Sequence, residues 1–486
     1  MIKCSVVILP LLLGGAVFGA KPQPLFDMDE MRDPDTLAVK VLQDWKVIRG
    51  PVPTRQKLIT IRVGELAPSE EYRVPVRLVV PEKGKAKGFH LSGSNNPKGL
   101  QLARPPRGPD VELIRGGVGV VKTVVQEPGS YGEGQLAGLA QQRFFKTLDP
   151  SSSIQYWGWP AVLMRATTAA YAEKEHFTKG KVLMSGASKN GASPSVALIH
   201  DERLTAVYAG VSPIWDSPLR LCDKKAWDAL RKSNSDYAKS LGADRSLTTR
   251  LSRDPFLGGT YGPVYNRQAM ERGKTWEELQ DLATRMADQV FVARNLDQLK
   301  KRGVDMFFHP GTHDFVCFDL AWGGKHHPQV PLYLRVNSGH GKNGRHPGTE
   351  SDVRNRDAFI LNHFLGLDRP MLQSPEVKAK RVGDQLEVGV SFPKGSGDET
   401  GRIFWMFDRY PDGSAAYVRE DFPHDQWKDM KRESTLSSTG TSWTVSLDLP
   451  KGASQVDFFS NHRKTLHFKE DSLPTYRSSP YTRVEL

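Results

Sequence analysis

The sequence predicts an α/β protein: a mostly parallel sheet covered by helices on both faces, with a helical insertion and a smaller antiparallel β domain after it. The first observation is that short apolar runs alternate with helical stretches between residues 56 and 370, as in parallel sheets whose crossovers are helices. The second is that this alternation stops between about residues 217 and 300, where helical stretches dominate. The third is a series of strand-like runs separated by Gly, Pro and Asp turns over residues 371–486.

The first region contains its elements in a regular order. Strands are predicted at residues 73–80, 87–91, 117–125, 181–185, 204–211, 304–308 and 331–336, and helices at 161–175, 195–199 and 352–365. Pro75 predicts that the first of these strands lies at an edge of the sheet. Helical stretches such as residues 276–291 fill the insertion, which would cover the carboxyl edge of the sheet as a cap or lid.

The two ends of the chain differ from this central region. Residues 21–55 are rich in Pro, Asp and Arg, so they are predicted to be an irregular lead-in. The C-terminal region has predicted strands at residues 386–390, 403–407, 442–447 and 481–484. Their turn-rich spacing predicts a small antiparallel β-sandwich-like domain.

Composition limits the classes of function. The chain has 486 residues, 38% hydrophobic and 25% charged, so two globular domains with a sizeable core are expected. Its formal net charge is +12, but Lys and Arg are scattered without a basic run. Nucleic acid is therefore not an expected partner, and the charge is a weak indication of an acidic polysaccharide.

Residues 1–20 have the pattern of a signal peptide, with Lys3 before an apolar run and small residues before position 21. The mature chain is expected to begin near Lys21 and to be exported to the periplasm or beyond. No later segment reaches the ~20 apolar residues of a transmembrane helix, so no integral membrane segment is predicted. Cys222 and Cys317 then remain, either as a disulfide or as two buried thiols.

The segment around Ser188 carries the candidate nucleophile. A predicted strand runs into Gly186-Ala187-Ser188 and a helix follows, which is the context of a nucleophile elbow. Small residues permit the sharp turn, and the helix N-terminus favours negative charge beside it. Asn190 stands where the usual pattern has Gly, and Asn tolerates a left-handed backbone better than most residues.

A nucleophilic serine needs a base, and the base needs a group that orients it. Asp314 follows the predicted strand 304–308, and His340 follows the predicted strand 331–336. The chain order Ser, Asp, His, each on a loop after a successive late strand, is that of the α/β-hydrolase fold. Asp319 is the alternative acid, although it lies further from its strand.

An oxyanion hole needs two N–H donors aimed at the developing negative charge. One is expected from the backbone amide of Lys189, directly after the nucleophile. The other is expected from the loop after strand 87–91, at Gly93 or Ser94.

Further residues near the predicted strand ends are candidates for binding substrate. These are His313, Trp215 and Trp322; a solvent-facing loop histidine and two core tryptophans are the alternatives. His309 and His313 are four residues apart, but the intervening Pro-Gly excludes a helix, so no metal site is predicted. No cofactor is implied.

The motifs resemble those of the PhoPQ-activated pathogenicity-related proteins, a group of α/β hydrolases. The resemblance spans roughly residues 70–486 and is carried by Ser185-Gly186-Ala187-Ser188-Lys189-Asn190-Gly191, Gly311-Thr312-His313-Asp314-Phe315 and Val336-Asn337-Ser338-Gly339-His340. It implies an α/β-hydrolase fold and a triad of Ser188, Asp314 and His340. That family usually has Arg, Gly and Trp after the Ser-Lys pair, where this chain has Asn190-Gly191-Ala192.

The Ser-Lys-Asn-Gly arrangement is also similar to that of glucuronoyl esterases, in which a basic residue after the nucleophile helps to hold the oxyanion. This similarity implies such a role for Lys189 and makes a uronate ester a candidate substrate. The expected function is therefore a secreted serine hydrolase that cleaves an ester through an acyl-enzyme. The alternatives are a non-catalytic hydrolase-fold protein that binds a glycan or surface, and a serine peptidase.

Overall fold

The structure is a computed structural model that describes residues 23–67, 69–125, 135–210, 214–229, 232, 269–270, 272–312, 314, 317, 319–338, 350–408, 431–435, 437–438 and 442–486. The predicted signal peptide, residues 1–20, and much of the predicted cap lie outside these ranges. Within the described ranges, no helix is long and apolar enough to cross a membrane.

The main sheet has eight strands, and its second half is parallel. In chain order the strands are β1 (Lys40–Ile48), β2 (Thr54–Ala67), β3 (Glu70–Pro81), β4 (Ala86–Ser94), β5 (Gly119–Val124), β6 (Phe177–Ala187), β7 (Ala206–Gly210) and β8 (Asp305–Phe308). In space the order is β1-β2-β3-β5-β4-β6-β7-β8. The pairs β1–β2, β2–β3 and β3–β5 are antiparallel. The pairs β5–β4, β4–β6, β6–β7 and β7–β8 are parallel.

Helices cover both faces of this sheet. They are α1 (Met28–Arg32), α2 (Pro97–Gln101), α3 (Pro109–Arg115), α4 (Gln135–Thr147), α5 (Trp159–Ala172), α6 (Lys189–His200), α7 (Trp276–Val290), α8 (Leu296–Lys301), α9 (Leu320–His326) and α10 (Asn355–Leu365). Helices α5 and α6 pack in the core cluster on one face, and α3 and α10 pack in the cluster on the other. Because both faces are covered, β7 is buried along its whole length and β4 and β6 each have a central buried run.

Two sequence-based predictions about the first strands are wrong. The lead-in is not irregular, because α1 and strand β1 form there. The hydrophobic side chains Val41 and Leu42 of β1 are 53% and 58% exposed, so this edge strand is held by backbone pairing with β2 and by the partly buried Trp45. Strand β3 is interior, and Pro75 is tolerated because β5 pairs only with Val76–Val79, just beyond it.

The last predicted strand of this region, residues 331–336, is present only as two isolated parallel bridges. One joins Phe308 to Leu332 and the other joins Gly311 to Arg335. These bridges keep the segment beside β8 even though no regular strand forms. The loops after the two strands therefore leave the sheet side by side.

The C-terminal region contains two antiparallel sheets. Their strands are β9 (Glu376–Val382), β10 (Gln385–Ser391), β11 (Thr400–Phe407), β12 (Lys431–Thr435), β13 (Ser437–Ser438), β14 (Ser442–Asp448), β15 (Gln455–Phe468), β16 (Asp471–Ser478) and β17 (Thr482–Glu485). One sheet has the order β13-β14-β10-β9, and the other has β12-β11-β15-β16, with β17 pairing with β15. A shared apolar cluster fills the space between them, as in a sandwich.

The second of these sheets is also tied to the main sheet. Ser478 N donates to Leu332 O at 2.9 Å, and Leu334 N donates to Ser478 Oγ at 2.6 Å. Asn461 Nδ2 donates to Leu334 O at 3.2 Å. The segment beside β8 is therefore held by β15 and β16 on its other side.

Candidate active site

The sheet has the strand order of an α/β-hydrolase fold, as predicted, and in that fold the turn between the strand β6 and the helix α6 is the place where a nucleophile would stand. Ser188 occupies that turn with φ 58° and ψ −131°. Such a backbone conformation costs a non-glycine residue ~1–3 kcal/mol and persists only where the surroundings impose it. Ser188 N donates to Gly210 O at 3.0 Å, and the amides of Gly191 and Ala192 donate to Ser188 O at 2.8 Å.

Close packing explains the glycines at this turn. A Cβ atom on Gly186 would lie 2.0 Å from Asn190 O, and one on Gly210 would lie 2.4 Å from the His309 ring. Neither position has room for a side chain. The chain can therefore turn sharply enough to present Ser188 at the end of the sheet.

Asn190 differs from the sequence-based expectation. The left-handed backbone falls at Ser188, whereas Asn190 lies inside α6. The Asn190 side chain instead reaches the loop after β4, where its Nδ2 donates to Asn95 Oδ1 at 2.8 Å. A Cβ on Gly93 would lie 2.4 Å from Asn190 Oδ1. Asn190 thus connects the turn that carries Ser188 to the loop predicted to supply an oxyanion donor.

The three predicted oxyanion residues lie on these two segments. Lys189 is the first residue of α6, where backbone N–H groups have no partner in the helix and the dipole favours an anion. Gly93 and Ser94 end strand β4, and Ser94 Oγ accepts from Asn96 N at 3.1 Å. The donation of these amides to an oxyanion remains a prediction. Burial lowers the pKa of the Lys189 ammonium.

The predicted acid, Asp314, is fully buried on the loop after β8. Its amide donates to Gly311 O at 3.2 Å, and its carbonyl accepts from Cys317 N at 2.9 Å. These two bonds hold the backbone of Asp314 itself in place.

The loop that leads to His340 lies against the Asp314 loop. Thr312 N donates to Arg335 O at 3.0 Å, and Asn337 N donates to Thr312 Oγ1 at 2.8 Å. His340 and His313 themselves lie outside the described residues. The described part of this loop ends at Ser338, two residues before the predicted base.

Asp319, the alternative acid, has another set of partners. Its Oδ2 accepts from Ser217 Oγ and from Arg220 Nε, each at 3.1 Å. Both members of the Arg220–Asp319 ion pair are almost fully buried. Removing one member of such a pair leaves an uncompensated charge, so this arrangement favours a structural role for Asp319.

The predicted substrate-binding tryptophans lie in different surroundings. Trp215 is in the main core at 2% exposure, and a Cβ on Gly323 would touch its ring. Trp322 is partly buried and stacks on His326 with ring centroids 4.5 Å apart. For Trp215 the surroundings match the core alternative.

Cys222 and Cys317 are both free and buried. They are therefore two buried thiols and do not form a disulfide. Burial raises the pKa of Cys222 to about 12. Burial, together with Asp314 and Asp319, also raises the pKa of Cys317. Among the described residues, no group of three or more His, Cys, Asp or Glu side chains could hold a metal ion.

A hydrogen-bonded Ser–His–Asp group that was not predicted from the sequence lies inside the sheet. His90 Nδ1 and Asp110 Oδ1 are 2.8 Å apart, and His90 Nε2 and Ser185 Oγ are 2.7 Å apart. Burial alone would raise the pKa of Asp110, but His90 and Lys122 outweigh it, so that this pKa is lowered. Ser92 and Ser185 are register partners on β4 and β6, but sequence spacing does not reveal such cross-strand neighbours.

This buried Ser–His–Asp group has no room for a substrate at its serine. Ser185, His90 and Asp110 are 4%, 1% and 7% exposed, and Ser185 lies within a regular strand. Its hydrogen bonds satisfy polar groups that would otherwise be buried at a cost. Ser188, three residues later, is the serine at the strained turn.

No protein-family model and no curated protein matches the chain. Among solved structures, acetyl xylan esterase 1 from Thermoanaerobacterium is similar over 68% of this chain and 91% of its own, with 15% identity and a TM-score of 0.35. Tannin acyl hydrolase from Aspergillus niger is similar over 68% and 83%, with 9% identity and a TM-score of 0.38. A glucuronoyl esterase from Teredinibacter turnerae is similar over 57% and 61%, with 12% identity and a TM-score of 0.32.

Proposed function

We propose that this protein is a serine hydrolase that cleaves esters through an acyl-enzyme, with Ser188 as nucleophile, His340 as base and Asp314 as orienting acid. The observation that carries the proposal is the strained backbone of Ser188 between β6 and α6. Strain of this kind is retained where the surrounding structure imposes it, and it is common at active sites. The buried Asp314 and the pinned loop before His340 support the other two assignments.

In the proposed reaction, Ser188 Oγ attacks the ester carbonyl while His340 takes its proton. The negative charge on the carbonyl oxygen would be stabilised by the amide of Lys189 and by an amide of Gly93 or Ser94. Collapse of the tetrahedral intermediate breaks the bond to the alcohol, which leaves with the proton from His340. A water molecule then attacks the acyl-enzyme by the same route, releases the acid and regenerates Ser188.

We further infer that the ester belongs to a carbohydrate, with a uronate ester as the first candidate. The similarity of the Ser-Lys-Asn-Gly segment to glucuronoyl esterases supports this choice, and so does the position of Lys189 beside the nucleophile. The motifs of the first resemblance likewise support a place among the PhoPQ-activated pathogenicity-related hydrolases. In this proposal residues 1–20 direct export, residues 56–370 form the hydrolase domain with a cap at 217–300, and residues 371–486 form the β-rich domain.

The test is labelling of the purified protein with a fluorophosphonate probe, read by mass spectrometry. We expect one labelled residue, Ser188, no labelling of Ser188→Ala, and retained labelling of Ser185→Ala. The Ser185 variant is a matched control, because that serine also belongs to a Ser–His–Asp chain. Labelling that is lost in Ser185→Ala and kept in Ser188→Ala would reject the proposed nucleophile. No labelling in any folded variant would favour a binding protein over an enzyme.

A further inference from the structure

A cavity of about 260 Å³ lies between strands β2, β3 and β5 and the segment 99–110. Its lining residues are distant in sequence from the Ser188 turn. Its volume is just below the ~300–1,000 Å³ of ordinary small-molecule sites, so it suits a small ligand. Its lining contains four cationic side chains, Arg77, Arg104, Arg107 and Lys122, and one carboxylate, Asp110.

The carboxylate compensates only part of this positive charge. Asp110 is hydrogen-bonded to His90 at 2.8 Å and lies 3.6 Å from Lys122 Nζ. Arg104 and Arg107 are exposed, where they can meet an incoming anion. The cavity is therefore an electropositive recess that favours a negatively charged ligand.

Arg77 gives the recess a buried cation with spare donor capacity. The residue is 4% exposed, its Nε donates to Leu100 O at 2.7 Å, and its Nη2 donates to Gln101 O at 3.1 Å. Its Nη1 is buried and has no hydrogen-bond partner among the described residues. Burial lowers the pKa of this guanidinium, which reflects the cost of an uncompensated charge. An anion in the cavity would reduce that cost.

Gln56 adds an acceptor to the same recess. The residue is fully buried, and its Nε2 donates to Arg104 O at 2.8 Å and to Thr54 Oγ1 at 3.1 Å. Its Oε1 is buried without a partner in the described part of the chain. Buried polar atoms are almost always paired, so a ligand that brings a hydroxyl group would complete the site.

The remaining wall is apolar. Leu100, Leu102, Pro105 and Pro106 line the cavity, and Leu102 is 58% exposed. Such a wall suits the carbon skeleton of a ligand whose polar groups face the arginines and Gln56. An anion, a hydroxyl donor and a small carbon skeleton together describe a sugar acid.

We propose that this cavity binds a small hydroxylated carboxylate of sugar-acid size, with its carboxylate among Arg77, Arg104 and Arg107 and a hydroxyl group on Gln56. The site uses neither Ser188 nor the loops of Asp314 and His340, so it does not depend on the proposed function.

The test is calorimetric titration of the full protein with sodium glucuronate, with glucose as the uncharged ligand of the same ring. We expect glucuronate to bind and glucose not to bind. The double variant Arg104→Gln/Arg107→Gln should weaken glucuronate binding at least about tenfold, because two charge-assisted contacts are lost. The control Lys380→Gln/Arg381→Gln removes the same charge from exposed positions on β9 and should bind as the wild type does.

Several outcomes would overturn the proposal. They are no glucuronate binding to the wild type at roughly 10 mM, equal weakening in the control, and inorganic phosphate binding as tightly as glucuronate. Weakened binding in Ser188→Ala would place the ligand in the candidate active site instead. Fluorophosphonate labelling should be the same in the Arg104/Arg107 variant and the wild type, so a failure here is distinguishable from a failure of the proposed nucleophile.

Discussion

Ser188 is the residue at which local stability and proposed activity conflict. Its backbone has a positive φ, which glycine adopts freely and other residues adopt at a cost. Both Ser188→Ala and Ser188→Gly should lack activity, since neither has a nucleophile. Only the glycine variant should release the strain.

We therefore expect Ser188→Gly to have a free energy of unfolding ~1–2 kcal/mol higher than that of Ser188→Ala. Urea denaturation of the two variants under the same conditions measures the difference. The alanine variant is the control, because it loses the same hydroxyl group but keeps the Cβ atom. Equal stability, or a less stable glycine variant, would show that the turn is not strained.

At the scale of elements, the elbow depends on the close approach of β6 and α6. A Cβ atom at Gly186 would lie 2.0 Å from Asn190 O, so Gly186→Ala must push the helix away from the strand. We expect a loss of at least ~1–3 kcal/mol in stability, as for other overpacked sites, and loss of fluorophosphonate labelling.

The matched control for this change is Gly389→Ala on β10, where the nearest atom to an added Cβ is Lys378 O at 4.0 Å. That variant should label normally and unfold near the wild-type midpoint. Normal labelling of Gly186→Ala would mean that the turn accommodates a wider separation of strand and helix.

The sequence predicts secondary-structure elements well where the buried residues of an element are also its hydrophobic residues. Strands β4 to β8 each contain a short run of buried residues, so their positions were predictable. Strand β1 was hard to predict, because several of its hydrophobic residues, such as Val41 and Leu42, are exposed and much of its support comes from pairing with β2. The long hairpin of β15 and β16 was missed for the opposite reason: it buries polar side chains such as Asn461, His462 and Lys464, whose pattern resembles a solvent-exposed segment.

The candidate site was predictable only in part, for a related reason. The strand–turn–helix pattern reveals Ser188, because it is local in sequence. The His90–Asp110–Ser185 chain and the Arg77 cavity join residues from different strands, and their partners are set by register and packing. No spacing along the chain identifies such contacts.

At the scale of the whole molecule, buried histidines contribute to the response to acid. Burial lowers the pKa of His200 to about 4, and that of His309 and His462 to about 3. In the unfolded chain these groups bind a proton near pH 6.5, whereas in the folded protein they stay neutral until far lower pH. Their contribution to stability is therefore complete above pH 6.5 and is lost as the pH falls toward 3–4.

We expect the free energy of unfolding to fall between pH 7 and pH 4.5, with up to ~1.4 kcal/mol per pH unit from each of these histidines. Urea denaturation at several pH values measures this slope. His462→Gln should have a shallower slope, whereas His467→Gln, at an exposed position of the same strand β15, should keep it. A slope that is the same in both variants would mean that His462 is protonated in the folded protein.

The bonds from β15 and β16 to the segment beside β8 also determine when this segment can complete its contacts during synthesis. Tyr333 and Asn461 both bond to Glu350, and Ser478 bonds to Leu332 and Leu334. Residues on both sides of the His340 loop therefore obtain their final partners only after residue 478 has been synthesised. In the proposed active site, the segment that precedes the candidate base would thus gain its last contacts after the Ser188 turn has been made. For the proposed hydrolase, activity would therefore follow completion of the C-terminal β-rich region.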